Sequence, residues 1–225
     1  MSLIKCGTSD VLTGHIHMPS RGPWFAELDL DTDTAPSGKV NLASDGGLSI
    51  KGTVVKPGAD RRGIMHTRMV GGAGGLAVLV GAASYANALL SDPLNAIMSA
   101  SGESLSSTIS TSITSIILPF WSHLVQSARA ALDLLVSAAA RALGLALTWR
   151  MLSDGTVWIG QETWPSQAMA AGADLVRQFP SAGRYELGVQ TLSLLPGVNL
   201  ASVGNVGAVD HWVADSNLES WAWLA

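Results

Sequence analysis

The pattern of the sequence changes twice along the chain, and these changes constrain the fold more than any other feature. Residues 1–70 and 147–225 hold short segments in which apolar and polar residues alternate, separated by Gly, Pro, Asp and Asn, whereas residues 71–146 are rich in Ala and Leu. Alternation indicates β-strands, and long Ala/Leu-rich segments indicate helices. The sequence therefore predicts an α+β, mainly β fold in which two small antiparallel β-barrel modules, 1–70 and 147–225, flank an α-helical insert, 71–146.

The N-terminal module is expected to contain several short strands. Between Trp24 and Leu30 the even-numbered residues are apolar and lie on one side of a half-buried strand. The turn Asp45-Gly46-Gly47 joins KVNLA to LSIKGTVV and predicts a hairpin, after which IMHTRMV returns as a further strand. Strands bounded by turn residues at intervals of about ten residues suggest a small antiparallel barrel or sandwich.

The insert is predicted to form helices over residues 76–91 and 124–147, with a loop and a third helix that ends near Pro119 between them. About twenty uncharged residues from Val70 to Leu90 reach the length of a membrane span. Because glycines dilute this window and Asp92-Pro93 follows it, a buried or oligomer-facing helix is favoured over a span.

The second predicted helix has an apolar face that includes Leu132 and Leu135. We expect this face to hold the two barrels, or neighbouring subunits, against each other. A charged residue at either position should then abolish assembly and leave the β content largely intact, whereas loss of all folded structure would mean that the insert is core.

The C-terminal module begins with the hairpin TWRMLSDGTVWIGQETW, whose turn is Asp154-Gly155. Further strands are predicted in YELGVQTLSLLPGVNL and VGAVDHWVADSNLESWAWLA, with turns at Pro196-Gly197 and Asp215–Asn217.

Composition favours a soluble protein that meets other chains. Only 13% of the 225 residues are charged while 48% are hydrophobic, so part of the apolar surface should contact partners. A net charge of −4 and the lack of a basic run argue against a protein that grips nucleic acid by its phosphates. The single cysteine, Cys6, excludes an internal disulfide framework and is expected to be a packing residue. The N-terminus shows no secretion signal, which predicts assembly in a reducing cytoplasm.

Histidines offer a possible metal site. His15 and His17 lie two apart on a predicted strand and point to one face, and His66 on another strand could join them to bind zinc. Since neither a Cys nor an acidic residue lies at a sequence spacing typical of metal ligands, no metal site is predicted. His123 and His211, next to Trp121 and Trp212, are expected to serve packing or interfaces.

The run from Gly71 to Gly75 follows a strand and opens a predicted helix, where phosphate-binding loops occur. It lacks the Lys and Ser/Thr of a P-loop, so a tight corner that needs positive φ or close backbone contact is favoured.

Catalysis is not predicted either, because no nucleophile elbow or metalloprotease motif occurs and most of the acids sit in or beside predicted turns. These acids are Asp29, Asp31, Asp33, Asp45, Asp60, Asp154, Glu162, Asp174, Asp210 and Asp215. We therefore expect no catalytic, cofactor-binding or metal residues, no cofactor, and a protein that is not an enzyme.

Tryptophans are concentrated in the C-terminal module, and core or subunit contacts are favoured for them. The alternative is a host-surface or carbohydrate-binding module that uses these rings as a platform: Trp158, Trp164, Trp212, Trp221 and Trp223.

Several segments together resemble the baseplate hub, or tail hub, proteins of tailed bacteriophages, particularly those of Mu-like and related siphophages. The resemblance begins where ALGLAL leads into TWRMLSDGTVWIGQETW, and it continues through GHIHMPSRGPWFAELDLD, LSIKGTVV, RMVGGAGGL, LLPGVNL and VGAVDHWV. These short segments are spread over most of the chain.

The resemblance implies a structural virion protein, located at the phage tail tip or baseplate and assembled in the bacterial host cytoplasm. Such hubs have two small β-barrels per chain and form a homotrimer, so that six barrels match the six-fold tail tube and a three-fold spike or fibre is carried below. The implied partners are the tail tube or distal tail protein, the spike or fibre and the tape measure. DNA would pass through the channel without specific binding, and no stable membrane insertion is implied.

Two physical features agree with this role, because a low charged fraction suits obligate contacts and an acidic balance suits a lumen through which DNA slides. The chain is short for a hub and shows no spike or lysozyme-like module, so the tip function is expected in a separate protein. Whether the chain is the hub proper or a neighbouring tail-tip component stays open.

Overall fold

The computed structural model describes residues 4–34, 36–60, 63–168, 175–187, 193–201, 203–214 and 217–225. The strands of the first barrel and its surroundings are β1 Lys5–Cys6, β2 Ser9–Pro19, β3 Phe25–Asp31, β4 Gly38–Ala43, β5 Ser49–Asp60 and β6 Ile64–Gly71. The insert holds β7 Leu79–Val80, β8 Ala83–Leu89, α1 Ser91–Ser101, α2 Thr111–Thr114, β9 Ile117–His123, β10 Gln126–Ser127 and α3 Ala128–Leu143. The C-terminal strands are β11 Leu147–Met151, β12 Val157–Gln161, β13 Ser166–Gln167, β14 Leu175–Phe179, β15 Arg184–Leu187, β16 Asn199–Leu200, β17 Gly204–Ala214 and β18 Asn217–Leu224. Short 3-10 helices lie at Gly75–Ala77 and Pro180–Ala182.

The N-terminal strands form a closed antiparallel barrel of six strands. They pair in the order β1-β4-β5-β6-β3-β2, and β1 pairs with β2 to close the ring. On β3, Ala26, Leu28 and Leu30 are fully buried while Glu27 is exposed, as the alternating pattern predicts. The hairpin predicted around residues 45–47 is present as β4 and β5, with Leu42 opposite Ile50. The mainly β fold and the N-terminal barrel are therefore confirmed.

The C-terminal strands continue the same sheet. β17 pairs antiparallel with β2, and the order β2-β17-β18-β15-β14 follows from there. This is possible because β1 covers only Ser9 and Asp10 of the long strand β2, so the same edge is free to pair with β17 from Thr13 to Pro19. Within the described residues the second β module is thus an extension of the barrel sheet and does not close a ring of its own. The division of the chain at residues 70/71 and 146/147 stays a prediction.

The insert contains both helices and strands. The helix predicted over 124–147 is present as α3, which ends where Gly144 adopts a φ of 65°. The helix predicted over 76–91 is wrong, because residues 83–89 form β8 and pair with β9, and α1 begins only at Ser91. Pairing with a partner strand outweighs the helix preference of Ala and Leu here. Pro119 lies inside β9, so the predicted third helix is reduced to the single turn of α2.

No helix in the described part of the chain is long and apolar enough to cross a membrane. The uncharged window that raised the question, from Val70 to Leu90, folds into the end of β6, a 3-10 turn and two strands.

Leu132 and Leu135 on α3 are completely buried in the core of their own chain. Of the two roles expected for this face, contact with a neighbouring subunit is therefore wrong for these two residues. The expected loss of assembly with intact β content is corrected as well, because a charge at either position would lie in the core and would break the fold. Leu134, at 49% exposure, is the leucine of α3 that faces outward.

The predicted hairpin of β11 and β12 is confirmed and joins the barrel to the insert. Trp149 is fully buried, and its Nε1 donates a hydrogen bond of 2.9 Å to Asp133 Oδ1 on α3. On the barrel side, the amide of Gly22 donates to the carbonyl of Trp149 at 2.8 Å. Trp149 thus links the barrel to α3 through its backbone carbonyl and its indole N–H.

Gly52 on β5 provides a test of the packing in the barrel. A Cβ at this position would lie 2.5 Å from Trp24 Cη2 and would also meet the carbonyl oxygen of Val70. We expect Gly52→Ala to lower the free energy of unfolding by about 1–3 kcal/mol, because neither neighbour can move easily. Gly81→Ala is the control, since a Cβ there meets nothing within 4 Å. Urea denaturation of both variants measures the difference, and equal stabilities would contradict the tight packing at Gly52.

Candidate functional site

Two histidines and one aspartate converge on the outer face of the sheet where β2 meets β17. His15 and His17 point to the same side of β2, and the strand register places Asp210 opposite His17. His15 Nε2 and His17 Nδ1 each lie 2.8 Å from Asp210 Oδ1. The side chains are 22%, 30% and 10% exposed in that order. Two of the three histidines that were considered as metal ligands therefore share an acidic partner that lies 193 and 195 residues farther along the chain.

Aromatic rings surround this cluster. Trp212 stacks on His15, with ring centroids 3.8 Å apart and an angle of 7° between the planes. Phe25 on β3 contacts His15 edge-on at 5.8 Å and His17 at 5.2 Å. The histidine rings are thereby held in place by their neighbours on both adjacent strands.

Asp210 is held in its charged form. Burial raises the pKa of this carboxyl, but hydrogen bonds with His17, His15 and Trp223 outweigh it and lower the pKa from 3.8 to about 2. Trp223 Nε1 donates to Asp210 Oδ2 at 2.5 Å, while both imidazoles contact Oδ1. The two oxygens of the carboxylate thus have different partners.

The third histidine that was considered, His66, lies apart from the other two. His66 Nδ1 on β6 lies 2.9 Å from Asp29 Oδ1, and Thr13 donates to the other oxygen of Asp29 at 2.6 Å. The same sheet face therefore carries a cluster of two histidines and, next to it, a pair with one histidine.

The other two histidines serve packing, as predicted. His211 is fully buried on the opposite side of β17, with Nδ1 2.8 Å from Ser220 Oγ, and burial lowers its pKa to about 4. His123 contacts the carbonyl of Leu124 through Nδ1 at 2.8 Å and packs against Trp121 at 5.0 Å.

The five tryptophans of the alternative binding module do not form one exposed platform. Trp212 is 47% exposed, but Trp221 is buried and the Arg184 guanidinium lies 3.6 Å from its ring centroid. The same guanidinium lies 5.0 Å from the ring centroid of Trp223, and Arg150 lies 4.6 Å from that of Trp158. Most of these rings are therefore already covered by cations of the chain itself.

Backbone amides of the glycine corner, residues 71–75, bind the side-chain carboxylate of Glu103 from the same chain. The amides of Ala73 and Gly75 donate to Glu103 Oε2 and Oε1 at 2.8 and 2.9 Å. Gly72 has a φ of 78°, and a Cβ on Gly75 would collide with the backbone oxygen of Ser101. The corner thus has both a positive φ and a close backbone contact, as expected. The amides that could have bound a phosphate donate instead to the buried carboxylate of Glu103.

Asp174 and Asp215 lie outside the described residues, and three of the other acids differ from the solvated turn residues that were predicted. Asp29 and Asp210 lie within strands, and Glu162 follows β12 and forms an ion pair with Arg150. Burial raises the pKa of Glu162 more than the nearby guanidinium lowers it. These acids bind partners on neighbouring strands, which the local sequence does not indicate.

The insert presents an apolar surface. Nine of the sixteen exposed large apolar side chains in the described part of the chain lie between residues 71 and 146. We define the insert surface by the most exposed of these together with Leu134, the outward leucine of α3: Leu79 (69%), Phe120 (66%), Leu124 (81%), Val125 (63%) and Leu134 (49%). Leu124 and Leu134 line one groove beside the β8–β9 hairpin, and Phe120 lies on the hairpin face opposite the buried Trp121.

Charge is nearly absent from the segment that carries four of the five residues of the insert surface, all except Leu134. From Met69 to Ala128 the sequence contains Asp92 and Glu103 as its only carboxylates, and no Lys or Arg. Glu103 is buried in the glycine corner. A surface with few charges and several exposed large side chains is typical of a contact with another protein. The run without Lys or Arg is a sequence signal that could have indicated this surface but was not used, whereas no sequence signal places Asp210 beside His15 and His17.

Comparisons with solved structures find the same fold in proteins of phage tails and related machines. The prophage MuSo2 43 kDa tail protein from Shewanella oneidensis is 9% identical, with a TM-score of 0.63 over 97% of this chain and 95% of that one. A tail protein from Neisseria meningitidis MC58 is 9% identical, with a TM-score of 0.62 over 97% and 94%. The E. coli c3393 protein is 12% identical, with a TM-score of 0.61 over 97% and 75%; it is a component of the type VI secretion system with structural similarity to the T4 bacteriophage tail proteins gp27 and gp5.

Comparisons of the sequence with protein families and with curated proteins find no match. The resemblance to tail proteins is therefore confirmed by the fold.

Glu103 provides a test of the glycine corner. Glu103→Gln replaces one acceptor oxygen by an amide that faces a backbone N–H, so we expect the free energy of unfolding to fall by about 1–3 kcal/mol. Glu219→Gln, at an exposed position of β18, is the control and should change stability by less than about 0.5 kcal/mol. Thermal and urea denaturation measure both variants. Unchanged stability of Glu103→Gln would show that the carboxylate is not needed at the corner.

Cys6 provides a test of burial in the barrel. The thiol is fully buried, and burial raises its pKa from 9.0 to about 11. The unfolded chain therefore releases this proton at lower pH than the folded chain, so stability is complete below pH 9 and declines as the pH rises towards 11. Urea denaturation of the wild type and Cys6→Ala under reducing conditions separates this effect from other groups. A parallel decline in both proteins would contradict it.

Proposed function

We propose that this chain, with its tail-protein fold, is a structural component of a phage tail tip or baseplate. In this proposal it forms a homotrimeric hub that adapts a six-fold tail tube to a three-fold spike or fibre and continues the channel for DNA. The observation that carries the proposal is the shared fold with tail proteins over 97% of the chain. The chain acts by assembly and not by catalysis.

The architecture supports a role in which each subunit contributes two β modules. The closed barrel and the C-terminal strands lie side by side along β2, so three subunits would place six β modules around one axis. Rigid pairing through β2 would keep the two modules of each subunit at a constant spacing, which an adaptor between symmetries needs.

The insert surface supports an assembly role and identifies where a subunit contact would lie. Its five residues are at least 49% exposed, and burying them would contribute the apolar centre of an interface. The remaining proposed partners are the tail tube or distal tail protein, the spike or fibre and the tape measure. A net charge of −4 supports passage of DNA without binding.

The second candidate, a host-surface or carbohydrate-binding module, rests on Trp212. This ring is 47% exposed and stacks on His15, so its free face could stack on a sugar. A glycan array with the wild type and Trp212→Ala tests this candidate.

The oligomeric state distinguishes the two candidates. Native mass spectrometry of the purified protein should show trimers without added ligand, and electron microscopy should show a three-fold ring with six lobes. A stable monomer that binds glycans through Trp212 would contradict the hub proposal and favour the second candidate. A plain six-fold ring would indicate a tube or distal tail protein.

The insert surface is tested by the double substitution Phe120→Glu with Leu124→Glu. Because both side chains are exposed in the subunit, we expect an unchanged circular dichroism spectrum and a trimer association weakened by about 2 kcal/mol or more, roughly 30-fold. Val176→Glu is the matched control, since this side chain on β14 is 54% exposed and lies outside the insert. Analytical ultracentrifugation compares the three proteins. Trimers of equal strength would place the subunit contact elsewhere.

A further inference from the structure

We infer that His15, His17 and Asp210 form a binding site for a divalent transition metal ion of the zinc class, which links the barrel to the C-terminal sheet. The inference goes beyond the assembly role and does not depend on it. It rests on the geometry, the supporting contacts and the exposure of these three side chains.

The donor atoms match the chemistry of such an ion. Two imidazole nitrogens and one carboxylate oxygen are ligands that zinc accepts, and the same set also suits other borderline metals. The three atoms lie within 4.8 Å of one another. In a tetrahedral site with bonds of about 2.0–2.1 Å, ligand atoms are about 3.3 Å apart, so adjustments on the order of 1 Å bring them into place.

Neighbouring aromatic side chains hold the proposed metal ligands Asp210 and His15 in a fixed orientation. Trp223 donates to Oδ2 of Asp210, which leaves Oδ1 directed at the two imidazoles. Stacking with Trp212 and the edge contact with Phe25 fix the plane of His15. Outer contacts that orient metal ligands in this way typically change affinity by 10–100-fold when removed.

The site is covered but accessible. Asp210 is 10% exposed while His15 and His17 are 22% and 30% exposed, so an ion can enter and a water molecule can complete four ligands. Two flanking strands place acids next to the cluster: Glu27 lies opposite His15 on β3, and Glu219 lies opposite Trp212 on β18. Glu27 also pairs with Arg68, 3.8 Å away, so the added negative charge that favours a cation comes from Glu219.

The position of the site gives the ion a structural consequence. Both histidines belong to β2 of the barrel, whereas the aspartate belongs to β17, the strand that connects the C-terminal sheet to β2. A bound ion would therefore join positions 193 and 195 residues apart in the chain. Because the unfolded chain lacks this arrangement, binding would stabilise the folded state.

Isothermal titration calorimetry with ZnCl2 on the full chain, after treatment with a chelator and dialysis, tests the inference. We expect one ion per chain, a melting temperature that rises with zinc, and, with CoCl2, visible absorption bands of the intensity typical of four ligands. His17→Gln and Asp210→Asn should each weaken zinc binding about 100-fold or more, and Trp223→Phe about 10–100-fold.

His66→Gln is the matched control, because His66 and Asp29 form a one-histidine pair on the same sheet face. This variant should bind zinc like the wild type. The inference is overturned if the wild type binds no zinc, if Asp210→Asn binds as tightly as the wild type, or if His66→Gln removes the binding. The cobalt spectrum of the wild type decides the case if a ligand variant fails to fold: weak bands of a six-ligand ion would contradict the site.

Discussion

The strand β2 is the element on which the rest of the structure depends. Its eleven residues pair with β3 along one edge and with both β1 and β17 along the other. The short pairing with β1 closes the barrel, and the longer pairing with β17 carries the C-terminal sheet. Because side chains alternate along a strand, β2 also separates two environments: Ile16 and Met18 are buried, while His15 and His17 face outward.

The insert is fixed to the barrel by buried polar contacts as well as by apolar packing. Glu103 accepts hydrogen bonds from the glycine corner at the end of β6, and Trp149 donates to Asp133 on α3. Buried polar groups are costly without partners, so these contacts specify one position for the insert. The β8–β9 hairpin and the loop after it provide three of the exposed side chains of the insert surface, Phe120, Leu124 and Val125.

The histidine and aspartate cluster and the apolar insert surface lie on different parts of the subunit. The histidine and aspartate cluster stands at the junction of the two β parts, where a bound ion would act within one subunit. The insert surface lies mainly on strands and the loop of the insert, where few charges would oppose a contact between subunits. The proposed hub would need both properties, since the modules of each subunit would keep their spacing while the subunits associate.

The sequence by itself determined the elements whose signals are local. The alternation from Trp24 to Leu30, the Asp-Gly turns of two hairpins, the glycine corner and the helix containing Leu132 all follow from periodicity and turn chemistry. Tertiary structure decided what depends on contacts between distant residues. Pairing with β9 made residues 83–89 a strand despite their Ala and Leu content, and burial turned Leu132 and Leu135 into core. The pairing of β17 with β2 brought Asp210 to His15 and His17, because strand register is set by the whole sheet and leaves no trace in the spacing of residues along the chain.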